Sequence, residues 1–177
     1  ATCDIIPALN GNLPEDIRIN DCAVVSGVFH ARFSAVKRQY VYHCRTDEYI
    51  LDRNTIWQTG PLDLNRLNEL ADKIVGEHNF TSFSKFNPEI ENRVCNIYLS
   101  EWSNESGIVN YRVAANRFLH HMVRYLVGTM VEVTRKKMTK LEFEEILNNP
   151  QENVQIYKAP PQGLFLEKVE YDGADIF

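Results

Sequence analysis

The sequence has 177 residues, 44% apolar and 24% charged, which suits one domain with a packed core, with or without a short extension. Lysine and arginine total 19 against 24 acidic residues, a net charge of −5; this argues against a strongly basic, sequence-blind nucleic-acid binder and leaves room for a local basic patch. The cysteines, Cys3, Cys22, Cys44 and Cys95, form no CxxC pair, which argues against a disulfide framework or a zinc site and fits small buried thiols in a reducing compartment.

In chain order, residues 4–9 read as a short helix, broken by Asn10-Gly11-Asn12 and Pro14. Residues 21–45 read as β structure. Phe29, Ala31, Phe33 and Ala35 alternate with His30, Arg32 and Ser34, and residues 37–44 follow with Arg38, Tyr40, Tyr42 and Cys44 on one face. Residues 63–75 form a helix with Asp63 as N-cap, a stripe of Leu64, Leu67, Leu70, Ala71 and Ile74, and Gly76 as its stop. Residues 93–102 and 108–115 are two strands of a hairpin joined through residues 103–107. Residues 118–133 are apolar nearly all round and predict a central helix, too short to span a bilayer. Thr139 and Glu142 make a capping box for a helix that stops before Pro150, and residues 164–171 are a last strand. Strands, helix, hairpin, helices, strand is the order of an α+β fold, a largely antiparallel sheet with helices packed on one face. With neither a signal-peptide pattern nor an initiator Met, residues 1–177 are expected to be a soluble, cytoplasmic domain whose start is a cut.

The central helix carries the main chemical anomaly. Arg124 lies among apolar neighbours, where its guanidinium must either snorkel to water or pair with an anion; composition leaves both open. His120 and His121 are adjacent, so their side chains point about 100° apart and do not readily share a metal. Solvent-facing or hydrogen-bonding histidines fit better than ligands, and a His-dependent metalloenzyme is a remote alternative. Tyr40 beside Lys37 and Arg38 suits base stacking with phosphate contact, although strand aromatics usually serve the core. Arg135, Lys136, Lys137 and Lys140 either complement a helix end or form a phosphate patch. Asp47, within Arg45-Thr46-Asp47, reads as an ordinary turn aspartate.

Together these motifs resemble the tRNA pseudouridine synthase A family. Phe29-His30-Ala31-Arg32-Phe33-Ser34-Ala35 followed by Arg38-Gln39-Tyr40-Val41-Tyr42 is similar to its FHARFSA…RxYxY signature. Val75-Gly76-Glu77-His78-Asn79-Phe80-Thr81-Ser82-Phe83 resembles VGxHDFxxF. Ala115-Asn116-Arg117-Phe118-Leu119-His120-His121-Met122-Val123-Arg124 resembles ANxFLHHMVR, and Ala159-Pro160-Pro161-Gln162-Gly163-Leu164-Phe165-Leu166 resembles APxxGLYL. The matches fall in family order. Departures are Thr134, where the family often has Gly, Tyr125, where it often has Asn, and the stretch before Ala159.

The resemblance implies a pseudouridine synthase catalytic-domain fold with a ferredoxin-like, RNA-binding-like half. It implies isomerisation of uridine to pseudouridine in the tRNA anticodon stem-loop (positions 38–40), by a homodimer, without cofactor or metal. An aspartate of a GRTDAGVHA motif attacks the flipped-out nucleotide, and the uracil detaches, turns and rejoins through carbon. By resemblance Tyr40 contacts the target base and assists proton removal, Arg124 pairs with the catalytic aspartate, and Leu164 and Leu166 pack against the uracil. Arg32, Arg38, His120 and His121 are candidates for RNA contact. The aspartate motif is absent from these residues, and Asp47 lacks its flanks and follows the tyrosine motif instead of preceding it. The expectation is therefore a C-terminal part of the enzyme that supplies the pocket without the nucleophile and is inactive alone. A noncatalytic RNA-binding module on the same scaffold is the alternative.

Overall fold

A computed structural model describes residues 5–25, 27–47 and 49–172. Cys3, and Asp4 of the first expected helix, lie outside them. Two compact units separate, Ala1–Ala35 with Tyr171–Phe177, and Val36–Glu170.

In the smaller unit, helix α1 (Ile5–Asn10) ends where Asn10 exchanges two 2.8 Å hydrogen bonds with the backbone of Ile19. Among the described residues of the stretch 21–34, the expected strand is not formed. Local side chains satisfy the backbone instead: the His30 ring accepts from the Arg32 and Phe33 amides, and Ser34 Oγ accepts from the His30 amide. A segment whose polar groups close on themselves has no need of a ladder, and its apolar–polar alternation then carries no strand information. Phe29 meets the Tyr171 ring at 5.0 Å, and Tyr171 Oη donates to the Ala31 carbonyl at 2.9 Å.

The larger unit is built on a mixed sheet. Its first strand, β1 (Ala35–Arg45), pairs antiparallel with β5 (Ile108–Ala115) and, through Cys44 and Arg45, parallel with β2 (Trp57–Gln58). Helix α2 (Leu64–Lys73) begins as expected at Asp63, whose carboxylate accepts from the Arg66 amide at 3.1 Å. Gly76 at φ 100 ends this turn and also opens β3 (Gly76–Asn79), a strand not expected from the sequence, which pairs antiparallel with β4 (Val94–Glu105). β4 and β5 form the expected hairpin, but β4 runs on to Glu105, so Ser106 (φ 54) and Gly107 (φ 87) alone make the connection. Two successive positive φ values match the right-handed twist of a tight hairpin. A register shift between Ile97 and Leu99 flips the parity of β4, so that Cys95, Ile97, Ser100 and Trp102 are all buried.

Strand β6 (Leu164–Tyr171) pairs with β1. The contacts His43 N–H to Gly163 O, Gln39 to Glu167 and Lys37 to Glu170 run in opposite directions along the two strands, so the pair is antiparallel. Gln39 and Glu167 share one face. With a side-chain period of two, Tyr40, Tyr42, Leu164 and Leu166 share the other.

That second face is the covered one. Tyr42, Cys44, Val109, Tyr111 and Val113 are buried on it with Leu67 and Leu70 of α2, Leu126 and Met130 of α3 (Met122–Thr134), and Phe143 of α4 (Lys140–Asn148). The buried Tyr111 hydroxyl meets Ser100 Oγ at 2.9 Å, so no polar group is orphaned there. α3 starts at Met122, not at residue 118, because His121 adopts φ 64 and cannot continue a right-handed turn. α4 has the expected capping box, with Thr139 and Glu142 bonding reciprocally. Among the described residues no helix is long and apolar enough to cross a membrane.

Candidate functional site

The site is organised by residues 157–163, a strap pressed between α3 and β1. Two glycines make the approach possible. A Cβ at Gly128 would fall 2.2 Å from the Tyr157 carbonyl oxygen, and one at Gly163 would fall 2.7 Å from that of His43. The Tyr42 hydroxyl donates to the Pro160 carbonyl at 2.7 Å, so the covered face of β1 grips the strap as well. Burial pushes the Tyr42 phenol well above the ordinary range, with the Arg124 charge opposing it.

Arg124 is fastened to the same strap. Its Nε donates to the Ala159 carbonyl at 2.7 Å, while the Ala159 amide donates to the Arg124 carbonyl at 3.0 Å. The side chain is half-buried, and among the described residues no carboxylate lies within ion-pair range of it. Of the two sequence readings, neither full snorkelling nor an acid partner describes it. A guanidinium has five donors, so one bond to a carbonyl leaves it able to take an anion.

Tyr40 lies two residues before Tyr42 on the same face. It is half-buried, and its ring meets the edge of Phe118 at 5.1 Å and 88°. Leu164 packs against the core beside it, whereas Leu166 is 54% exposed. Phenol, aromatic wall and open leucine can receive a flat ring. Arg38 Nη1 donates to the Asn116 carbonyl at 2.8 Å and so fixes the turn leading to Phe118. Arg32 belongs to the smaller unit, with its guanidinium 5.6 Å from the Phe33 ring centre.

His120 and His121 stand at the start of α3 with ring centroids 3.9 Å apart. His121, the N-cap, makes no side-chain capping bond. Its pKa is lowered from 6.5 to about 4, first by burial and then by the charges of His120, Lys158, Arg124 and Lys85. Lys85 and Lys158 were not singled out in the sequence, since they are far apart in it. The Lys85 amide donates to the His120 carbonyl at 2.9 Å, and Lys158 Nζ stands 5.8 Å from the Tyr125 ring centre. The only sequence hint was their adjacency to the VGxHDFxxF-like and APxxGLYL-like segments.

The other basic run is structural. Arg135 and Lys137 pair with Glu132 at 3.2 and 3.4 Å, and Lys140 pairs with Glu69 at 2.8 Å. Asp47 is held by Arg45, whose hydrogen bond to it keeps the carboxyl below the usual range. Among the described residues no group of three or more His, Cys, Asp or Glu is arranged to hold a metal ion.

Residues 70–172 match the family model described as tRNA pseudouridine synthase. The chain is similar to the tRNA pseudouridine synthase A of Chlorobium limicola, 39% identical over 165 residues, covering 93% of this chain and 68% of that protein. Its counterpart from an Exiguobacterium species is 34% identical over 171 residues, covering 96% and 70%. That of Bacillus pumilus is 37% identical over 168 residues, covering 93% and 68%.

Proposed function

The chain belongs to the tRNA pseudouridine synthase family, and on that premise we propose that its larger unit supplies the pocket in which a uridine of the tRNA anticodon stem-loop becomes pseudouridine. The observation that carries this reading is Arg124, a guanidinium fixed by Ala159 in an apolar helix, with no acid beside it among the described residues. In this reading its partner is the nucleophilic aspartate of the family motif, which is not among these 177 residues. Residues 1–177 then act as the C-terminal part of the enzyme.

Tyr40 contacts the flipped base against Phe118 and takes part in removing the proton from C5. Leu164 and Leu166 pack against the uracil. The reaction breaks the C1′–N1 bond, forms C1′–C5, releases the C5 proton and returns one to N1, so its balance needs no oxidant, reductant or cofactor. Flipping the nucleotide costs a few kcal/mol, offset by stacking and phosphate contacts. Arg32, Arg38, His120 and His121 contact RNA in this reading. The working form is a cytoplasmic homodimer.

The test is pseudouridine formation on tRNA by the 177-residue chain alone and by a chain that also carries the aspartate motif. The chain alone is expected to give no product and the longer one to turn over. Product from the 177 residues alone would refute the assignment of the nucleophile.

A further inference from the structure

We propose that Lys85, His120, His121 and Lys158, with Arg124 at their edge, form a socket for one backbone phosphate of the RNA strand that carries the target uridine. The inference rests on the reading that RNA is the substrate. Three separate segments converge to build the socket. The loop after β3 brings Lys85, fastened by its amide to the His120 carbonyl. The turn into α3 brings the two histidines, whose rings lie close at a tilt of 30°. The strap brings Lys158, next to the Ala159 that exchanges hydrogen bonds with Arg124.

Among the described residues, none of Lys85, His120, His121 and Lys158 has an ion-pair partner, in a chain where acids outnumber bases by 24 to 19. Several other bases are neutralised, Lys73 by Glu144, Arg112 by Glu105, Lys140 by Glu69 and Lys168 by Glu170; among the described residues Arg53, Arg66 and Lys136 lack an acid too, but only in the cluster do such groups face a common neighbour, His121. Like charges brought together without an acid repel, and the fold needs a reason to hold them. His121 adopts a left-handed backbone at φ 64, and its ring is held against protonation first by burial and then by the neighbouring charges. A phosphate offers several acceptor oxygens to this array and cancels the repulsion. The start of α3, with no capping side chain on His121, adds a favourable dipole. Only Leu119 separates His120 from Phe118, the wall of the Tyr40 slot, so phosphate and base can belong to one strand.

The charged groups facing His121 are Lys85 from the loop, His120 and Arg124 from its own turn and helix, and Lys158 from the strap. A phosphate among them raises the His121 pKa, so binding takes up a proton.

The experiment is fluorescence-anisotropy titration of the chain with a labelled anticodon stem-loop RNA, across salt and between pH 8 and 5.5. Lys85→Ala and Lys158→Ala, both at exposed positions, are each expected to weaken binding about tenfold, the size of a charged hydrogen bond. Each is expected to lower the slope of log K against log salt, by no more than the roughly 0.7 to 0.9 that one neutralised phosphate contributes. Wild-type affinity is expected to rise on acidification, and His121→Gln to remove that rise. Unchanged salt slopes in both lysine variants, or no RNA binding at any salt, would overturn the socket. In the enzyme carrying the aspartate motif, the lysine variants should raise KM and leave kcat in place. Turnover with an unchanged KM sinks the socket alone; bound RNA that is never converted, with altered lysine slopes, sinks the catalytic reading alone.

Discussion

Gly128 and Gly163 are positions where an added methyl group has nowhere to go. In Gly128→Ala the new carbon would meet a backbone carbonyl at 2.2 Å, which cannot swing aside as a side chain can. Overpacking of this kind costs about 1–3 kcal/mol, and urea denaturation should show a lower midpoint with an unchanged slope. Tyr40 behaves differently, because its ring already has a structural partner in Phe118. Tyr40→Phe keeps that contact, so its melting temperature should match wild type. Turnover in the enzyme carrying the aspartate motif should fall roughly 10²- to 10⁴-fold, the range of a lost general acid–base group. Turnover within threefold of wild type would remove the phenol from the chemistry. Tyr40 and Arg124 could be picked out in the sequence because each stands inside a motif with an odd neighbourhood. Lys85 and Lys158 could not, because nothing in one dimension says that residues 73 positions apart face the same histidine.

At the scale of elements, legibility followed how local the determining interaction was. The caps of α2 and α4 involve side chains three residues from their targets, and both were readable. β2 and β3 are short, and their only justification is a neighbour distant in sequence, so neither was anticipated. The end of α3 holds a device of the same kind. Lys136 N–H bonds to Val133 O and Lys137 N–H to Glu132 O, with Lys136 at φ 60, the Schellman arrangement that glycine usually occupies. Lys136→Gly should therefore stabilise the protein by about 1 kcal/mol by relieving the left-handed strain. Thermal unfolding should rise by about 2–4 °C; a fall would mean that the lysine side chain outweighs the backbone.

For the molecule as a whole, the charge pattern makes a statement about pH. His121 is held at about 4 in the folded state against an ordinary value of 6.5, so the unfolded chain binds its proton first on acidification. Its contribution to stability is complete above about pH 6.5 and is lost as the pH falls toward 4. His121→Gln should flatten the stability profile across that window, measured by denaturant midpoints at matched ionic strength; a profile as steep as wild type would place the acid sensitivity elsewhere. The α+β class, the covered face and the family were all legible from residues 35–171, where long amphipathic elements dominate. Residues 30–34 of the smaller unit do not form the expected strand because hydrogen bonds within the turn, not burial, decide their conformation.

The strap has one more consequence. Its two seats, opposite Gly128 and Gly163, are gauged by absent atoms, so the number of residues between them works as a ruler. One residue more or less between Ala159 and Gly163 would take the Pro160 carbonyl off Tyr42 or drag Ala159 from Arg124. Length variation in this part of the chain is thereby steered upstream, into residues 149–156, where the backbone forms no strand or helix and Asn153 already turns at φ 58. The fold thus separates a stretch whose length is calibrated from one whose length is free.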